Sequence, residues 1–86
     1  PLICACRKGL IEIVNLLLED QDIDVNKEKT NKVTPIYIAC YEGNLEMVKL
    51  LTNDIRVDLM KGNLHGVTPF MIACFRGHME VVKLLI

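Results

Sequence analysis

Serine does not occur in this 86-residue chain, and no apolar run is longer than the stretch from Pro69 to Phe75. The first absence leaves no serine nucleophile to pair with a base. The second excludes a membrane-spanning helix, which needs about 20 apolar residues. Neither sign of charge is in excess: ten Lys and Arg face eleven Asp and Glu, for a net charge of −1. A nucleic-acid binder needs surplus Lys and Arg to meet the phosphates, so no nucleic-acid partner is expected. A glycine-rich phosphate loop is also missing. The chain opens on Pro1, without Met or a signal-peptide pattern.

What is present is apolar: 51% of residues are hydrophobic and 24% charged. That is too apolar for a disordered tail. The length allows one small domain. Such a chain buries only about 60–65% of its unfolded surface, so modest stability is expected. The apolar fraction is high for a small free-standing domain.

A repeat accounts for it. Ala5, Ala39 and Ala73 are each 34 residues apart, as are Cys6, Cys40 and Cys74, and Gly9, Gly43 and Gly77. Pro1, Pro35 and Pro69, the acids Glu12, Glu46 and Glu80, and the pairs Leu16-Leu17, Leu50-Leu51 and Leu84-Leu85 keep the same step. Such self-similarity is the signature of stacked repeat architectures. Thr34-Pro35 and Thr68-Pro69 read as helix starts, with Thr as N-cap and Pro at the first helical position. Gly43 and Gly77 then supply the left-handed stop. A second helix begins near Leu45 or Met79, with Glu46 or Glu80 in its first turn to complement the helix dipole. Met47, Val48, Leu50 and Leu51 form its buried stripe. Glu46–Lys49 and Glu80–Lys83 are spaced as i,i+3 pairs. The polar segments 19–33 and 53–67 read as extended connections with a turn. Gly66 marks the turn at Asn63 to Gly66, whereas Lys32 stands at the matching place in the earlier connection.

These residues resemble the ankyrin repeat, whose signature is T-P-L-H-x-A. Here it reads Thr34-Pro35-Ile36-Tyr37-Ile38-Ala39 and Thr68-Pro69-Phe70-Met71-Ile72-Ala73, while Ile23-Asp24-Val25-Asn26 is similar to the family's closing A-D-V-N. The resemblance implies an all-α repeat solenoid: ankyrin-type stacked helix-turn-helix units joined by short hairpin-like connections. It divides residues 1–86 into a partial unit at 1–33, a complete one at 34–67 and a partial one at 68–86. A tetratricopeptide stack shares the period of 34 but needs longer helices than the polar stretches allow. The family's His is replaced by Ile3, Tyr37 and Met71. In the family that His ties neighbouring repeats by hydrogen bonds. Here apolar packing is expected to replace the tie, with Tyr37 and Met71 filling gaps between repeats.

The four cysteines do not read as a disulfide framework. Cys6, Cys40 and Cys74 are equivalent positions on stacked helices, which pack about 8–10 Å apart. A disulfide needs Cα atoms within about 4.4–6.8 Å. Each Cys beside the Ala reads as a small buried apolar residue, and unpaired thiols favour an intracellular, reducing location. No cofactor or metal site is expected. His65 and His78 are the only histidines, and no Cys pair has zinc-ligand spacing. The acids Glu19, Asp20, Asp22 and Asp24 read as a solvated face. With Thr34 and Thr68 assigned to caps, no catalytic constellation emerges, and the chain is not expected to be an enzyme.

Stacked repeats make an extended surface that recognises partners. The resemblance points to two zones, the turn tips and the exposed side of the first helix of each unit. The tip positions are Lys29, Thr30, Asn31 and Val33, then Asn63, Leu64, His65 and Val67. The helix positions are Arg7, Lys8, Tyr41, Glu42, Phe75 and Arg76. Tyr41 and Phe75, flanked by Arg7, Lys8 and Arg76, form a stripe of the residue types enriched in binding hot spots. The expected function is a non-catalytic protein-interaction module; the alternative is a structural spacer within a larger enzyme or scaffold. Because the chain begins and ends inside repeats, it reads as a section of a longer array. Its apolar ends are then expected to stack against a second copy.

Overall fold

The computed structural model describes residues 2–86. Among them are six α-helices: α1 (Leu2–Lys8), α2 (Ile11–Leu18), α3 (Pro35–Glu42), α4 (Leu45–Thr52), α5 (Pro69–Phe75) and α6 (Met79–Leu85). Local chemistry sets their starts. The Thr34 and Thr68 hydroxyls accept hydrogen bonds from the backbone N–H of Tyr37 and Met71, both at 3.3 Å. Proline occupies the first turn of α3 and α5, where a missing N–H costs nothing. Asn44 caps α4 by accepting from Met47 N at 3.1 Å. The α3–α4 corner turns on Gly43 at φ 73°, with its N–H donated to Ala39 O.

Each short helix packs against its sequence neighbour, giving the pairs α1/α2, α3/α4 and α5/α6. Across the pairs, α1, α3 and α5 stack into an inner row, and α2, α4 and α6 into an outer row. The chain is therefore an all-α repeat solenoid. Its core runs between the rows through Ala5, Ala39, Ala73, Val14, Val48 and Val81, and is densest in the middle pair. There every residue from Thr34 to Cys40 is buried, as are Met47, Val48 and Leu51. No helix among the described residues is long and apolar enough to cross a membrane.

The connections project hairpin-like turns. Lys29 and Val33 form an antiparallel bridge, with Lys29 N donating to Val33 O at 2.7 Å. Asn63 N donates to Val67 O at 2.9 Å in the matching turn. Gly66 takes the left-handed conformation its sequence anticipates. The earlier turn closes without glycine, through Asn31 at φ 65° and Lys32 at φ 61°. A non-glycine residue there costs about 1–2 kcal/mol. The neighbouring turn helps hold it, because Leu64 N donates to Asn31 O at 2.8 Å.

The ties between repeats depart from expectation, being hydrogen bonds rather than apolar packing alone. Asn26 Nδ2 donates to Arg56 O at 2.8 Å, and Asn26 Oδ1 accepts from Asp58 N at 2.7 Å. The Arg56 guanidinium donates to Leu18 O and Asp20 O, closing the free carbonyl end of α2. Asp54 holds that guanidinium in place at 2.6 Å. At the place of the missing family His, Tyr37 Oη accepts from Asn63 Nδ2 at 3.2 Å. His78 Nε2 lies 2.9 Å from Tyr41 O.

Three smaller expectations are corrected. Cys6 and Cys40 are buried, but Cys74 is exposed because no helix stacks beyond α5. Met71 is 45% exposed for the same reason, whereas Tyr37 is buried. Of the two i,i+3 pairs, Lys83–Glu80 is in contact at 4.0 Å, while Glu46 and Lys49 are not paired.

Candidate partner-binding surface

The 34-residue step sets Arg7, Tyr41 and Phe75 at one register position on α1, α3 and α5. Lys8, Glu42 and Arg76 follow them at the next, and all six side chains are exposed. Stacking of the inner helices turns these positions into two adjacent rows across the solenoid. The rows are held in part by their own contacts. The Arg76 guanidinium lies over the Tyr41 ring, 4.1 Å from its centroid, a cation–π geometry worth about 0.5–1 kcal/mol at an exposed site. The Tyr41 ring stacks on Tyr37 at 6.5 Å between centroids. Tyr37 in turn receives the hydrogen bond from Asn63. A continuous path thus runs from Arg76 through Tyr41 and Tyr37 to the second turn tip.

The tips divide into exposed and structural positions. Lys29, Thr30 and Asn31 are exposed, as are Leu64 and His65. Val33 packs against the core and Val67 is half-buried. Asn63 is also half-buried, and its Oδ1 accepts from His65 N and Val67 N at 2.9 and 3.0 Å. Its role inside the turn leaves little of it for a ligand. Sequence reasoning passed over Lys32, which stands exposed between Asn31 and Val33. Its position opposite Gly66 drew attention to backbone conformation and away from its charge. Behind the tips, Lys61 Nζ meets Glu28 Oε2 at 2.8 Å. The hydrogen bond to the Glu28 carboxylate raises the Lys61 pKa above its ordinary value.

Two thiols lie in the core. Burial pushes Cys6 and Cys40 each up to about 12, so neither is a nucleophile at neutral pH. Among the described residues no three His, Cys, Asp or Glu side chains gather as metal ligands would. What the surface offers is shape, aromatic area and charge.

A family model for ankyrin repeats (3 copies) matches residues 2–86. The chain belongs to the ankyrin repeat family. Among solved structures, the crystal structure of the human ASB11 ankyrin repeat domain is similar, with a TM-score of 0.86 and 28% sequence identity. The match covers 99% of this chain and 38% of that one, so the chain spans well under half the length of that relative. A search of the curated proteins finds no significant match. Ankyrin repeats are generally protein–protein interaction modules, and ankyrin repeat domains are typically non-catalytic.

Proposed function

We propose that this ankyrin repeat chain is a non-catalytic module that binds a protein partner through its turn tips and the exposed side of its inner helices. The observation that carries the reading is the stripe of Tyr41, Phe75 and Arg76. Phe75 is 74% exposed and Tyr41 37% exposed, on helices whose opposite sides form the core. Large aromatics and Arg left in water at adjacent register positions are what hot spots are made of. A partner recovered with the chain as bait is retested with both components purified. Tyr41→Ala and Phe75→Ala should each weaken it by at least ~1 kcal/mol, with unchanged circular dichroism. Unchanged affinity in both folded variants removes this face. The four free thiols favour a reducing, intracellular setting.

A second contact is supported at the end of the stack. Leu59, Phe70 and Met71 are at least 39% exposed. They stand at the same register positions as Val25, Ile36 and Tyr37, which the following helix pair covers. This end is read as a seat for the first helix pair of a second copy. Sedimentation velocity should show association that rises with concentration and is lost in Phe70→Glu. A monomer throughout the accessible range ends the idea.

A further inference from the structure

Charge is unevenly divided between the two faces of the solenoid, although the whole chain is almost neutral. The exposed side of the inner helices and the first turn tip carry Arg7, Lys8, Lys29, Lys32 and Arg76, against the single acid Glu42. Most of the carboxylates lie elsewhere, although Asp22 and Asp24 line one surface pocket with Lys29 and the α1 residues Ile3 and Cys4. Glu12, Glu46 and Glu80 lie in the first turns of the outer helices, and Glu19, Asp20, Asp22, Asp24, Asp54 and Asp58 lie in the segments leaving those helices. Glu28, the remaining acid and the one nearest a tip in sequence, is neutralised by Lys61.

The basic groups of the inner face are also unspent. The ion pairs among the described residues are Arg56–Asp54, Lys61–Glu28 and Lys83–Glu80, and none uses these five side chains. Arg76 is held over the Tyr41 ring, 4.1 Å from its centroid, and its N–H groups are in no ion pair among the described residues. A guanidinium placed in this way meets a carboxylate by two parallel charge-assisted hydrogen bonds. Beside it, the Phe75 ring, 74% exposed, and the part of Tyr41 left open by Tyr37 and Arg76 offer apolar area to a ligand.

Resting on the interaction reading above, we propose that the inner-helix face selects an acidic protein segment bearing an apolar side chain. The apolar residue seats on Tyr41 and Phe75, and its acidic neighbours pair with Arg7 and Arg76. Complementary charge of this kind sets partner choice and association rate more than it sets raw affinity.

The test selects random dodecapeptides from a displayed library on the intact chain. Enriched peptides should carry an excess of Asp and Glu around one or two apolar residues. They should bind the Arg7→Glu/Arg76→Glu variant about tenfold more weakly than the parent. Lys49→Glu/Lys83→Glu makes the same charge change on the outer helices. It should leave affinity within about twofold, because salt screens charges beyond about 8 Å. Neutral or basic peptides that are still lost with Tyr41→Ala and Phe75→Ala would overturn the acidic preference and leave the interaction face standing. Equal losses from inner and outer charge reversal would overturn it too, as would equally tight binding to mixed-sequence DNA or phosphatidylserine vesicles. No enrichment, or peptides indifferent to all these variants, would overturn both the acidic preference and the face.

Discussion

Gly43 and Gly77 occupy the same register position and the same left-handed conformation, both at φ 73°. An alanine at either site meets the same backbone strain, about 1–2 kcal/mol. Their surroundings differ. A methyl group on Gly77 meets nothing within 4 Å, whereas one on Gly43 overlaps the ring of His78. That ring is not free to yield without cost, because His78 Nε2 is hydrogen-bonded to Tyr41 O. Displacing it forfeits a bond worth about 0.5–1.5 kcal/mol and repacks the contact between the α3–α4 and α5–α6 corners at about 1 kcal/mol more. Gly43→Ala should therefore cost about 2.5–4.5 kcal/mol, against about 1–2 kcal/mol for Gly77→Ala.

Urea unfolding followed by far-UV circular dichroism measures both. In a domain of this size each kcal/mol lowers Tm by about 4–8 °C, so a thermal scan resolves the two variants. The middle and end helix pairs differ in cooperativity, and the comparison is made independent of that by a cycle with His78→Ala. In the His78→Ala background, Gly43→Ala should fall to the cost of strain alone, about 1–2 kcal/mol. The reasoning is refuted if Gly43→Ala costs no more than Gly77→Ala. It is equally refuted if the full penalty survives without His78.

Three further outcomes are expected. Alkylation of the native chain at mildly alkaline pH, read by mass spectrometry, should modify the exposed Cys4 and Cys74 and spare Cys6 and Cys40. For the buried pair the folded pKa of about 12 lies above the ordinary 9.0, so their contribution to stability is intact below 9.0 and is lost as pH rises toward 12. Asn26→Ala leaves Arg56 O and Asp58 N without their shared partner and should cost about 1–2 kcal/mol in urea unfolding; a change below about 0.3 kcal/mol would deny the tie. Hydrogen bonding to Arg56 lowers the Asp54 pKa below its ordinary 3.8. Stability from that pair is then fully present above 3.8 and is lost as pH falls through the lower folded value. Asp54→Asn should flatten the acid limb of the stability curve, and an unchanged slope would contradict the assignment.

The helices, caps and stacking order were legible because they recur. Thr-Pro starts, the Gly stop and the Ala and Leu-Leu positions repeat with no slip, so each copy supports the interpretation of the others. The ties between repeats were not legible, because the residues that make them do not recur. Arg56 stands where the earlier unit has Asp22, Asn26 where the later one has Met60, and His78 where Asn44 caps a helix. A search for periodicity discards these positions as variation. They also act across 30 to 38 residues, a separation no local pattern reports. The candidate surface lay between these cases. Tyr41 and Phe75 were placed by helical spacing, whereas Lys32 was obscured by its turn.

Burial shows why a repeat sequence does not by itself determine the environment of its residues. Cys6, Cys40 and Cys74 are one residue at one register position, yet two are buried and the last is exposed. Ile13, Met47 and Val81 run the other way, with the first 46% exposed and the others at most 1%. The two gradients oppose each other because the Cys position is covered by the following helix pair and the Ile13 position by the preceding one. Each pair thus contributes one half of two different interfaces, and only the middle pair has both halves filled. Stability in such an array is a sum over units and nearest-neighbour contacts, so α3 and α4 carry most of the cooperativity. Tyr41 and Glu42 are set on that best-fixed pair, while Phe75 ends α5 and Arg76 caps it, and α5 is covered on one side only. The Arg76–Tyr41 contact therefore joins the less supported half of the candidate surface to the half the core holds firmly.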